Sequence, residues 1–229
     1  RLRLNRPIEI FLPDNNGNTI SLEQKDNIKY LGVFIDEKIN WKYHISFICS
    51  RIARNTGIFL KLRHFLTPFQ LRKIYYNLIY PYISYAIVAW GSTSKANLKN
   101  LQTKQNHIVR IIFFATLYGK DTESALPLLN LLDILTIENT FELHVLKFTH
   151  NWHNKILPSV FRDYFLYAKD MHSYDTRYAS KNNLYKVSVR TNTGKQTISS
   201  TASRFWQTLP TELKNLKTTS FSKKVKQYL

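Results

Sequence analysis

KINWKYHISFICSRIARNTGIFLKLR (38–63) opens a stretch of 83 residues, Lys38 to Lys120, that contains no aspartate or glutamate. The whole chain carries 15 acidic residues among 229, so a stretch of this length would ordinarily hold about five. It holds thirteen Lys and Arg side chains instead, among them Lys42, Arg51, Arg54, Lys61, Arg72, Lys73, Lys95, Lys99 and Arg110. The stretch is also apolar enough to fold. A folded surface of one charge sign attracts a polyanion, and Lys and Arg on it would neutralise phosphates with little sequence preference and strong salt dependence.

The spacing within this stretch predicts helices. Asn40 can cap a helix over Trp41–Arg63, in which Trp41, Ile45, Ile48, Ile52, Phe59 and Leu62 form one apolar stripe with Arg54 and Lys61 opposite. Thr67-Pro68 is an N-cap and first-turn pair for a second helix to about Tyr80. Pro81 kinks it, and it can resume to Trp90-Gly91. A third helix over Ser94–Phe114 has a core stripe of Leu98, Leu101, Ile108, Val109 and Ile112. Along its flank run Lys95, Lys99, Asn106 and Arg110, three cations within about 90° of arc. Tyr75, Tyr76, Tyr80, Tyr82 and Tyr85 suit packing, or stacking on bases where exposed.

Outward from these helices, the composition bounds the rest. Lys+Arg total 33, giving a net charge of +18, and 44% of residues are hydrophobic. That is a foldable, strongly basic chain, suited first to nucleic acid and second to an anionic membrane surface. The one apolar run long enough to consider as a span, Ile74–Trp90, is 17 residues interrupted by Asn77, Pro81 and Ser84, whereas a span needs about 20. One cysteine, Cys49, excludes an internal disulfide and a multi-cysteine zinc site, and fits an intracellular, reducing setting. The start without methionine leads us to expect a piece of a longer protein.

Before the helices, Ile8–Leu12 and Thr19–Leu22 read as strands around a turn at Pro13–Asn18. Ile28–Ile35 (IKYLGVFI) reads as a third, continuous strand buried on both faces, with Gly32 as a bulge or a point of close approach by another backbone. After them, acids return and helices are expected near Thr122–Leu132 and Thr136–His153. Beyond Lys169 the chain turns polar and basic, with a hairpin expected where Val187–Arg190 and Gln196–Ile198 bracket Asn192-Thr193-Gly194. Ser203–Leu209 and Ser220–Leu229 read as helices. The fold class is therefore α+β, mainly α: a small antiparallel sheet over 1–37, a helical domain over 38–120, a helical extension over 121–168 and a basic region over 169–229.

No catalytic site is read from the residues. There is no Asp-Asp pair. Asp36-Glu37, the adjacent acidic pair, reads as a turn or helix-start feature. His144, His150 and His153 share no helix face and read as packing or solvated side chains. Cys49 has no base partner, and the six glycines form no phosphate loop.

Taken in order, the landmarks are Tyr30-Leu31-Gly32-Val33 with Asp36, Trp41 with His44-Ile45, then Pro81, Tyr85 and Trp90-Gly91. Gln105-Asn106 with Arg110-Ile111-Ile112 come next, then Tyr174-Asp175-Thr176-Arg177 and Phe205-Trp206-Gln207-Thr208-Leu209-Pro210. Together they resemble the C-terminal part of reverse transcriptases of LINE-type (non-LTR) retrotransposons. The resemblance implies that Tyr30, Leu31 and Gly32 are similar to a primer grip. It implies that the helices are a thumb on the template–primer duplex of RNA and DNA, with the basic residues from Lys42 to Arg110 as backbone contacts and Arg177 as a further contact. It also implies that fingers and palm are the protein partners, that Mg2+ belongs with Asp-Asp carboxylates absent from these residues, that the chain is inactive alone, and that its setting is nuclear. The residues alone also admit a stand-alone nucleic-acid-binding or protein-interaction module, and a membrane-peripheral protein held by basic helices.

Overall fold

The computed structural model describes residues 10–13, 19–22, 25–113, 124–171, 176, 178 and 180–229. The chain divides into two compact units, Arg1–His44 and Ile45–Leu229.

The first unit contains two antiparallel hairpins. β1 (Ile10–Pro13) pairs with β2 (Thr19–Leu22), Ile10 opposite Leu22. The turn expected at 14–18 lies outside the described residues. β3 (Asn27–Tyr30) pairs with β4 (Val33–Asp36), with Tyr30 opposite Val33. This corrects the continuous strand expected over Ile28–Ile35. Leu31 and Gly32 sit at φ 44° and 83°, the left-handed pair that a two-residue hairpin connection of type I′ requires. The apolar run hides the turn because its first central residue is Leu rather than the usual Asn or Asp. The expected burial on both faces is also corrected: Ile28, Tyr30 and Leu31 are 60–72% exposed, whereas Val33 is buried.

Asp36 ends β4 and organises the loop into the first helix. Its buried carboxylate accepts from three backbone N–H groups, those of Lys38 (3.2 Å), Asn40 (3.0 Å) and Trp41 (2.8 Å). These bonds hold a tight loop in which Ile39 and Trp41 both lie at positive φ (50° and 64°), uncommon for bulky residues. Asn40 Oδ1 then accepts from Lys42 N–H at 2.9 Å, where helix α1 begins. His44 Nδ1 accepts from the Phe34 N–H at 3.4 Å, and burial pushes this imidazole down to about 4.

The second unit is helical. α1 (Lys42–Leu62) buries Ile45, Ile48, Ile52 and Phe59. α2 (Pro68–Leu78) starts with a full capping box, Thr67 and Gln70 each satisfying the other's backbone N–H. The helix does not run on to Trp90. It breaks into α3 (Tyr80–Ser84) and α4 (Ile87–Trp90), because Ala86 takes a left-handed φ of 51° between them. α5 (Lys95–Ile112), capped by Ser94, buries all five residues of its expected stripe.

After α6 (Leu126–Leu131), α7 (Ile137–His153) forms the centre of the unit. α3, α4, α5, α10 (Ile198–Thr208) and α12 (Thr218–Tyr228) all pack on it. Gly91 permits the approach of α4: a Cβ there would lie 2.3 Å from Phe141 Cδ2 and 2.6 Å from the Ile87 carbonyl oxygen. A 3₁₀ turn (Ser159–Phe161) and α8 (Ala168–Met171) come after α7.

The hairpin expected around Asn192-Thr193-Gly194 is a single helical turn, α9 (Asn192–Lys195). The Thr191 hydroxyl takes the Gly194 N–H and Thr197 caps α10 directly behind it, so the chain winds rather than reverses. Strand-like pairing in this region falls instead at Tyr167 and Leu184. α11 (Thr211–Lys214) precedes α12. The segments 121–168 and 169–229 thus share one unit with most of the acid-free helices. The boundary near Lys120 lies outside the described residues.

Candidate nucleic-acid interface

Helices α1, α2 and α5 of the acid-free stretch expose many of their cations. On α1, Arg54 and Lys61 are exposed and fall about 20° apart, two turns along the same face. Lys42 is exposed at the first helical residue, while Arg51 is half-buried with its guanidinium 5.0 Å from the Phe47 ring centre. On α2, Lys73 is exposed. On α5, Lys95 and Lys99 are exposed and Arg110 is half-buried. Tyr30, Leu31 and Gly32 are exposed at the tip of the β3–β4 hairpin. Arg177, with the Tyr174-Asp175 part of its motif, lies outside the described residues.

A stretch without acids in sequence is not a surface without acids in space. Asp133, from the loop after α6, reaches back to α2 and accepts from the Arg72 guanidinium at 2.8 Å and from Lys226 Nζ of α12 at 2.6 Å. Its backbone oxygen accepts from the Tyr76 hydroxyl at 2.9 Å and from Lys226 Nζ at 2.8 Å. The Arg72 Nε–H donates to the Leu132 carbonyl as well. Arg72 is therefore spent largely on fixing the loop and α12 to α2. Glu138, in the first turn of α7, borders the same grooves as Lys95, one of them about 640 Å³.

Gln105-Asn106 and Trp206 are likewise structural. Gln105 is buried and donates to the Tyr75 hydroxyl (2.8 Å) and the Leu135 carbonyl (2.9 Å), tying α5 to α2 and to the loop before α7. Gln102 donates to Gln105 and Asn106 side chains and accepts from the Ile137 N–H at 2.8 Å. Trp206, fully buried, donates from Nε1 to the Asn182 carbonyl at 3.0 Å. Beside it lies Lys214, buried against Asn183 Oδ1 (2.8 Å), with burial lowering its ammonium to about 8. Of the five tyrosines considered for stacking, Tyr75 is fully buried and Tyr85 exposed.

The histidines of α7 pack. His150 stacks on Phe221 of α12 at 3.8 Å and bonds the Leu216 carbonyl. His144 bonds the Tyr80 hydroxyl at 3.2 Å, and burial lowers it to about 4. His153 bonds the Tyr167 hydroxyl at 2.6 Å. Burial raises the Cys49 thiol and so keeps it protonated. Among the described residues no group of three His, Cys, Asp or Glu side chains gathers as a metal site, and no helix is long and apolar enough to cross a membrane.

Sequence reading passed over Asp133, Lys226 and Gln102, whose partners lie 35–93 residues away. It also passed over Phe65 and Phe69, which are 82% and 69% exposed. Their interleaving with Lys61, Arg63, His64 and Lys73 was the available signal.

No protein-family model matches the chain, and no solved structure does. Over 133 residues, 57% of its length, the chain is 24% identical to a Drosophila melanogaster protein named "Probable RNA-directed DNA polymerase from transposon BS". The match takes in 14% of that protein, so the chain spans a small part of the length of this relative. More than half of the chain is thus a region similar to part of a transposon reverse transcriptase.

Proposed function

We propose that the chain is the C-terminal, non-catalytic portion of an RNA-directed DNA polymerase of a LINE-type retrotransposon, and that α1, α2 and α5 form a thumb holding the template–primer duplex. The observation that carries this reading is the exposure of Arg54, Lys61, Lys73, Lys95 and Lys99 on helices that contribute no carboxylate of their own. The similarity to the Drosophila polymerase points the same way. These side chains would neutralise backbone phosphates and leave base sequence unread. Tyr30, Leu31 and Gly32, projecting at a hairpin tip, are offered as the primer-grip element. Fingers and palm, with their Mg2+, would be supplied by the rest of the polymerase, in a nuclear setting.

Fluorescence anisotropy with an RNA–DNA duplex over a salt series tests the thumb. Lys95→Ala with Lys99→Ala weakens binding and flattens the slope of log K against log salt by up to about two ion equivalents. An unchanged slope would remove α5 from the interface. Primer extension by the chain with Mg2+ and dNTPs stays at background, and extension above it overturns the non-catalytic reading.

A further inference from the structure

We infer that the α1–α2 corner binds unpaired bases of a single-stranded nucleic acid, with Phe65 and Phe69 as stacking platforms and Lys61 and Lys73 as phosphate contacts. The inference rests on the proposed nucleic-acid-binding function for the class of partner and assigns Lys61 and Lys73, among the thumb cations, to an unpaired strand rather than to the duplex.

Phe65 lies in the turn after α1 and Phe69 in the first turn of α2, flanking Thr67-Pro68. These residues are 82% and 69% exposed, although the helical unit offers a large core. The corner that carries them is closed by hydrogen bonds. The Phe65 and Leu66 N–H groups both donate to the Leu62 carbonyl at 3.0 Å, and the Thr67–Gln70 capping box closes the start of α2. Phe69 and Lys73 are one turn apart on the outer face of α2, while Leu71 and Tyr75 of the same helix are buried. Residues 61–73 contain Lys61, Arg63, His64, Arg72 and Lys73 and no acid. Arg72 is turned away to Asp133 and takes no part.

Exposed aromatic faces beside cations suit alternating bases and phosphates, and a duplex keeps its base faces stacked internally. Phenylalanine has no donor or acceptor, so this contact tolerates any base. An apolar protein surface would meet the rings but not the cations, and an unpaired strand meets both.

The test uses the full 229-residue chain with a labelled 12-nucleotide single strand and with an RNA–DNA duplex of equal length. Phe65→Ala with Phe69→Ala lowers single-strand affinity by at least about tenfold, leaves its salt slope unchanged and changes duplex affinity less than twofold. Phe65→Trp with Phe69→Trp restores single-strand binding. Lys61→Ala with Lys73→Ala flattens the single-strand salt slope by about one ion equivalent. Equal loss on both substrates, or no loss on the single strand, overturns the inference. So does a shift of the alanine variant from dimer to monomer in sedimentation, which would mean a second copy covers the rings. Binding of the duplex without the single strand sinks this inference alone, and binding of neither sinks the thumb reading with it.

Discussion

The two units of this chain treat their apolar side chains in opposite ways. The helical unit hides Trp90, Trp206, Tyr75 and Phe221 completely. The N-terminal hairpins leave Ile10, Phe11, Leu12, Ile28, Tyr30 and Leu31 at least half exposed. An isolated two-stranded ribbon cannot cover both of its faces and is marginal in water, whereas helices around a central α7 can. Among the described residues the first unit leaves most of its apolar side chains at the surface, with Asp36 ordering the loop after β4, and the second gathers most of the buried ones.

The largest test of this contrast is Trp90→Ala. Trp90 is fully buried beside the Gly91–Phe141 contact, and its loss costs about 3–5 kcal/mol in denaturant unfolding. An unchanged midpoint would mean that α4 is not part of the core. An intermediate effect comes from acid. His144 titrates near 4 in the folded unit, below the ordinary 6.5, so the unfolded chain binds more protons between those values. Stability from this residue is present above about pH 6.5 and is lost as pH falls toward 4. In thermal melts His144→Gln reduces the loss of Tm between pH 7 and 5, and an unaltered slope would remove His144 from the buried set. The smallest effect is Leu31→Ser. Leu31 is 72% exposed, so the melt of the helical unit shifts by no more than about 0.5 kcal/mol. A larger shift would show that the helices lean on the hairpin.

The helical half was legible because its signals are local. The stripes of α1 and α5 recur every three or four residues, and Thr67-Pro68 is a cap written in two adjacent letters. Leu31-Gly32 escaped because a two-residue turn inside IKYLGVFI leaves the apolar run unbroken. The 192–195 helix escaped because Asn-Thr-Gly serves a hairpin or a helical turn equally, and Thr191 and Thr197 decide it. At the interface, basic residues could be enumerated from sequence, but which of them are spent internally could not. Arg72 meets its acid 61 residues later, and nothing near Arg72 announces Asp133.

The Asp133 clamp also sets an order of events during synthesis. Arg72 and Tyr76 are made before Asp133, and Lys226 is made 154 residues after Arg72. At about 5–20 residues per second that interval is roughly 8–30 s. His150 is made 78 residues after Arg72, and from then until α12 is made the face of α7 that receives α12 remains uncovered, including the ring of His150 that Phe221 will stack upon. The Asp133 clamp is therefore completed only once α12 is made.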